Sequence, residues 1–276
     1  HPDAFPKRAY AEEGLTMVDA FISAGGLSPW LKPLTGTEHR CLAPVGDKRI
    51  IDYIIDALQQ SGCVRRIVIA ARQEALPELR ATLPKDILLC EAEGDLPATA
   101  LAAAKVLGED STEKLLGVCD DIPLLTPTAV RDFFAACAEQ PQHELYYPII
   151  PKDACLAAFP AAQRTYGKLA DGVFTGGNMM LMAKKIMPQG QQVAREIFAR
   201  RKSPLKLCNW LGWSFIIKLL LHRLTIADAE KRTSELLHIN CKAIITRHAG
   251  VGMDIDKPAD LELAAQYVTK HESSPR

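Results

Sequence analysis

Four carboxylates stand where they could do chemistry. Asp120 and Asp121 follow directly on the apolar run Leu115–Cys119 and precede Ile122-Pro123. A carboxylate projecting from the end of a buried strand needs a partner, and a divalent cation carrying phosphate oxygens suits it. The same side chains could instead cap a turn or the helix that follows. Asp254 and Asp256 lie two apart in Met253-Asp254-Ile255-Asp256-Lys257-Pro258, so in extended backbone both point the same way. Asp260 falls at the start of a helix, where it reads as a cap, and Asp256 ahead of Pro258 allows a cap as well.

Three glycine stretches offer backbone rather than side chains. Val18–Gly26 is an apolar run ending in Ala24-Gly25-Gly26. Two adjacent residues without Cβ let a backbone press against a flat base or a phosphate, and they equally suit a plain turn. Thr175-Gly176-Gly177-Asn178 feeds the apolar run Met179–Met182; it reads either as an acceptor-binding loop or as a β-bulge with a turn-forming Asn. Gly94-Asp95-Leu96-Pro97 opens a helix, so its free N–H groups could recognise a base or simply begin that helix.

The elements that must position these residues follow from periodicity. Ile50, Ile51, Ile54, Ile55 and Leu58 recur at helical spacing and stop near Ser61-Gly62. Strands are expected at 66–71, 87–90, 115–119, 146–151 and 242–246, with helices at 98–107 and 128–137 between them. Strands alternating with helices imply a parallel sheet with right-handed crossovers, and ligands then sit at the strands' carboxyl ends. The 276 residues, 48% hydrophobic, suffice for a large core, and 33 basic residues balance 33 acidic ones. That balance argues against nucleic acid as a partner. Eight cysteines without a C-x-x-C pair read as buried reduced thiols, which with the lack of an apolar leader in residues 1–16 suggests the cytoplasm.

Taken in order, the motifs resemble those of the MobA-like NTP transferases. They are strand-Ala-Gly-Gly, then Arg40-Cys-Leu-Ala-Pro-Val-Gly, Asp120-Asp-Ile-Pro-Leu-Leu-Thr-Pro, Thr-Gly-Gly-Asn, and Asp254-Ile-Asp-Lys-Pro-Ala-Asp-Leu-Glu-Leu-Ala. The resemblance implies a Rossmann-like, three-layer α/β sandwich with a mostly parallel sheet, the GT-A-like nucleotidyltransferase fold, over residues 17–276. Residues 1–16 would be an N-terminal extension and about 188–237 a helical insertion. It also implies Mg²⁺-dependent transfer of a nucleotidyl group from a nucleoside triphosphate to a phosphate-bearing small acceptor, with release of pyrophosphate. Carried over, Ala24, Gly25 and Gly26 lie against base and phosphates, Asp121 holds the metal, and Asp254 and Asp256 supply a second metal-binding or positioning group. The chain departs from the pattern in its cations: Lys32 replaces an Arg usual after the glycines, and Arg40 stands where a Lys is usual. Both would steady the β- and γ-phosphates, since charge must be offset on the leaving pyrophosphate.

Two other activities share parts of this pattern, glycosyl transfer from a nucleotide sugar and nucleotide binding without chemistry. A nicotinamide dehydrogenase is disfavoured because Gly25-Gly26 lacks the G-x-G-x-x-G spacing. Within the insertion, basic residues at 184, 185, 195, 200, 201, 202 and 206 lead into an apolar segment from Trp210, too short to cross a bilayer. Ser214, Lys218 and His222 would form one narrow polar stripe on a helix whose wide apolar face must be covered, by packing within the insertion or by a second copy of the chain in preference to docking on a membrane surface.

Overall fold

The computed structural model describes residues 17–92, 94–188, 190–193 and 210–272. Strand β1 (Val18–Ala24) is followed by the one-turn helix α1 (Lys32–Thr35), the short hairpin β2 (Pro44–Val45) and β3 (Lys48–Arg49), and helix α2 (Ile50–Ser61). Then come β4 (Val64–Ala71), α3 (Leu76–Thr82), β5 (Leu88–Glu91), α4 (Leu96–Leu107), β6 (Lys114–Cys119) and α5 (Pro127–Ala138). The second half runs through β7 (Leu145–Pro151), α6 (Lys152–Ala158), β8 (Gly167–Leu169), β9 (Gly172–Gly176) and β10 (Met179–Ala183). It ends with α7 (Trp213–Leu220), α8 (Ile226–Leu237), β11 (Cys241–Ile245) and α9 (Pro258–Glu272).

β1 lies deep in the sheet because all but two of its residues, Asp19 and Ser23, are apolar, and those apolar residues are buried on both faces. Ala20, Ile22 and Ala24 face one core layer, built with Ile50, Ile54 and Leu58 of α2 and Val130 and Phe133 of α5. Phe21 faces the opposite layer with Ala100, Ala103 and Leu107 of α4. Burying each large apolar side chain contributes about 2 kcal/mol, so the two faces together fix β1 firmly. α2 stops where expected because Gly62, at φ 71°, takes the left-handed conformation that ends a helix. The seven described cysteines all carry free thiols.

The sheet order is β5-β4-β1-β6-β10-β7-β9-β8, with β11 also paired to β7. β1, β4, β5 and β6 are parallel, as is β11 with β7, but β10 runs antiparallel between β6 and β7. The sheet is thus mostly parallel, as expected, with an antiparallel part that strand–helix alternation alone does not foretell. The cause is the connection: after β7 and α6 the chain turns back through the β8–β9 hairpin, and its return run has to oppose β7.

The helix expected to carry the stripe Ser214, Lys218 and His222 is shorter than that stripe. α7 covers Trp213–Leu220 only, and His222, at φ 55°, falls beyond its end, so the polar stripe is reduced to Ser214 and Lys218. Lys218 is held by Asp228 at 2.7 Å. Trp213, Ile217 and Leu220 stay exposed. The extension 1–16 and the basic residues 195, 200, 201, 202 and 206 lie outside the described residues. No helix among the described residues is long and apolar enough to cross a membrane.

Candidate active site

Register brings the chemistry together. Ala24 pairs with Ala71 and Ser23 with Cys119, so β1, β4 and β6 end side by side and deliver Gly25-Gly26, Arg72 and Asp120-Asp121 to one edge. Arg72 Nε donates to the Gly25 carbonyl at 2.9 Å. The loop after Gly26 folds back on itself through the Leu27–His39 bridge and the Ser28 N–H bond to the Glu38 carbonyl at 2.8 Å. It closes with the Arg40 N–H on the Gly26 carbonyl at 3.2 Å, which sets the Arg40 side chain over Gly26. Neither glycine adopts positive φ, so a turn is not what demands them. Close approach does: a Cβ on Gly26 would strike the Arg40 guanidinium, and one on Gly25 would lie 3.1 Å from the Ala92 Cβ.

Asp120 is wholly buried and Asp121 is 5% exposed. Arg40 is the cation between them, 2.9 Å from Asp121 Oδ2 and 3.4 Å from Asp120 Oδ1, with Asp256 Oδ1 at 3.8 Å. Both Asp120 oxygens, Asp121 Oδ1 and Arg40 Nε are buried without a hydrogen-bond partner. Burial pushes both carboxyls above the ordinary range, and Arg40 pulls them only part of the way back.

Asp254 and Asp256 arrive from the other end of the chain. The Ile255 N–H bonds the Asp121 carbonyl at 2.9 Å, which ties their loop to the end of β6. Asp260 accepts from the Asp256 N–H at 3.2 Å and the Lys257 N–H at 3.1 Å, so Asp260 caps α9 and the Asp256 side chain does not. One carboxylate oxygen each from Asp121, Asp254 and Asp256 then lies within 4.8 Å of the others. Arg164 binds Asp254 from the far side, through both its carboxylate and its carbonyl. Burial raises the Asp254 carboxyl as well, against the pull of Arg164.

These residues fit a hard divalent cation. The donors are all oxygens at a spacing such an ion spans, and buried lone pairs are unused. When ionised, the four carboxylates exceed the two guanidiniums by two negative charges, the charge of one such ion.

Residues 20–201 match the model of the MobA-like NTP transferase domain. The chain belongs to that family. A solved structure described as a hypothetical transferase from Thermus thermophilus is 32% identical, covers 89% of this chain and 100% of its own, and superposes with a TM-score of 0.73. Two more distant structures share the fold. One is a CMP:2-keto-3-deoxy-manno-octonic acid synthetase complexed with CTP, at 14% identity, 93% and 100% coverage and a TM-score of 0.61. The other is a 4-diphosphocytidyl-2C-methyl-D-erythritol synthase from Anaerococcus prevotii, at 11% identity, 92% and 99% coverage and a TM-score of 0.56. No match was found among curated proteins. The family is one of nucleotidyltransferases, so this MobA-like NTP transferase is an enzyme of that general type.

The remaining residues singled out in the sequence of this MobA-like NTP transferase divide into those near the carboxylates and those with local duties. Gly177 and Asn178 are a two-residue irregularity between β9 and β10, both of which pair with β7. Backbone bonds run from the Gly177 N–H to the Pro148 carbonyl, from the Asn178 N–H to the Val251 carbonyl and from the Cys119 N–H to the Asn178 carbonyl, each at 2.9 Å. The bulge thus anchors β6 at the end that carries Asp120 and Asp121, and Gly176 lies against Tyr147. Asp95 caps α4 by accepting from the Ala98 N–H at 2.9 Å, and Gly94 takes φ 52° just before it. Lys32 is exposed at the start of α1 and makes no ion pair with a described residue.

Three contributors escaped sequence reasoning. Arg72 could have been found, because it directly follows the end of a parallel strand. Arg164 and Tyr147 carry no such signal: one sits in an irregular segment, and the other looks like any strand aromatic.

Proposed function

We propose that the protein moves a nucleotidyl group from a nucleoside triphosphate to a phosphate-bearing small acceptor and releases pyrophosphate, with Mg²⁺ held by Asp121, Asp254 and Asp256. The observation that supports this most is the carboxylate cluster itself, in which buried Asp121, half-buried Asp254 and exposed Asp256 bring their oxygens together beside buried Asp120, and the four carboxylates when ionised exceed their two guanidinium partners by two charges. Bound Mg²⁺ would supply charge neutralisation at the transferring phosphate and a common anchor for acceptor and triphosphate.

The chain's own residues account for the rest of the reaction. An acceptor oxygen forms a bond to the α-phosphorus, the bridging bond to the β-phosphate breaks, and pyrophosphate leaves with that electron pair; no protein nucleophile takes part. Ala24, Gly25 and Gly26 give the triphosphate a close backbone surface. Arg40 and Lys32 offset the charge on the leaving pyrophosphate, Arg40 through a planar fork that can take two oxygens at once. Thr175 to Asn178 line the acceptor side, and the Gly94–Asp95 turn lies at the base end. Both remote neighbours handle cytidine nucleotides by name, which makes CTP the first triphosphate to try.

The test is pyrophosphate release with Mg²⁺ and each of the four nucleoside triphosphates, against sugar, polyol and pterin phosphates. Release confined to one pairing, and lower by about a thousandfold in Asp121→Asn, is the expected result. Release that Asp121→Asn leaves intact would refute the assignment.

A further inference from the structure

Arg40 does not stand clear to receive phosphates. Its guanidinium lies among Asp120, Asp121 and Asp256, two of which belong to the trio that fits a cation. Its contacts are uneven: it holds Asp121 at 2.9 Å, whereas Asp120 and Asp256 lie at 3.4 and 3.8 Å and Nε has no hydrogen-bond partner. Gly26 leaves room for the guanidinium in this position, since any Cβ there would expel it. A monovalent fork that pairs closely with only one of these carboxylates supplies half the charge of a divalent ion, but it is enough to lower the field that would attract one.

From this we infer that Arg40 holds the metal's place in the ligand-free protein and yields it only when a triphosphate offers the guanidinium new oxygens, so that metal and nucleotide are taken up together as one complex. This rests on the function proposed above. A free cation arriving alone meets Arg40 at close range with nothing to draw that side chain away. A metal–triphosphate complex brings both the ion for Asp121 and Asp256 and the phosphate oxygens for Arg40. The exchange replaces ion pairs of uneven length with a bidentate guanidinium–phosphate contact, the geometry in which arginine binds best.

The test follows binding of Mn²⁺ by the loss of its free electron-paramagnetic-resonance signal, for Mn²⁺ alone and for Mn²⁺ with each of the four triphosphates. Wild type is expected to take up Mn²⁺ effectively only with a triphosphate. Arg40→Gln should bind Mn²⁺ alone about a hundredfold more tightly than wild type, from removal of one positive charge at contact distance. It should bind the Mn²⁺–triphosphate complex about tenfold more weakly, from loss of one charge-assisted pair. Opposite signs are diagnostic, because a merely structural role for Arg40 would weaken both. Arg40→Lys, which keeps the charge on a shorter reach, should fall between, and it carries the test if Arg40→Gln fails to fold. Equal or weaker binding of Mn²⁺ alone in the folded variants would overturn the inference while leaving the carboxylate site standing. Absence of Mn²⁺ binding in every protein, with or without triphosphate, would overturn the inference and the proposed function together.

Discussion

Two buried aspartate sites lie at opposite ends of the same pair of strands. Asp19 opens β1 opposite Leu115 of β6, whereas Asp120 and Asp121 follow the other end, beyond Cys119. All are almost fully buried. Asp19 receives Arg65 at 2.7 and 2.9 Å, Arg66 at 2.8 and 3.2 Å, and the Thr112 N–H at 3.1 Å. Burial alone would raise its pKa, but these bonds outweigh it and hold the carboxyl well below the usual range. At the other end one arginine serves two carboxylates, three oxygens have no hydrogen bond, and burial keeps both carboxyls raised. Residue type and solvent exposure are alike, but Asp19 lies nearer the surface and has more partners, and both differences separate a closed ion cluster from carboxylates left short of partners.

The largest effect that could break this comparison is on stability. Asp19→Asn leaves Arg65 and Arg66 without their shared carboxylate and should cost about 3 kcal/mol in denaturant unfolding. Asp120→Asn removes a charge that the protein does not satisfy, so its unfolding free energy should be unchanged or higher by about 1 kcal/mol. A larger loss at Asp120 than at Asp19 would invert the distinction.

A smaller effect sharpens the same contrast through pH. Asp19 has a depressed folded pKa; its contribution is complete above the unfolded value of about 4 and is lost as pH falls toward the folded one. Asp120 and Asp121 have raised folded pKa values, so between about 4 and neutrality the folded state binds more protons than the unfolded. That part of the stability is present below about 4 and declines as pH rises. Unfolding followed across this range should therefore show a decline in wild type that Asp120→Asn flattens and Asp19→Asn leaves in place.

Much of the frame was legible in the sequence. The spacing of Ile50 to Leu58 gave α2 its position, and the apolar runs ending at Ala24 and Cys119 located two strand ends from which ligands are reached. Asp254 and Asp256 were legible as a pair through their two-residue spacing, and Asp260 as a cap through its place beside Pro258. What escaped depends on contacts between distant segments. Met179–Met182 is equally apolar whether it runs with or against its neighbours, so its antiparallel direction came only from the β8–β9 return. Arg40 reaches the carboxylates because the loop after Gly26 doubles back, a path that two prolines and no periodicity leave unmarked. The demand for Gly26 was readable as close approach, but the group approaching is this chain's own guanidinium. Arg65 and Arg66 meet Asp19 from 46 and 47 residues away, which no local pattern announces.

The central claim is that Asp121 anchors a metal–nucleotide complex in a site the protein leaves short of positive charge. Thermal unfolding with Mg²⁺ and each nucleoside triphosphate, on wild type beside Asp121→Asn, tests it most directly. One triphosphate, at about a hundred times its dissociation constant, should stabilise wild type by about 2.7 kcal/mol, only when Mg²⁺ is present, and should leave Asp121→Asn unmoved. Equal stabilisation of the variant, or stabilisation of wild type that ignores Mg²⁺, would contradict the account.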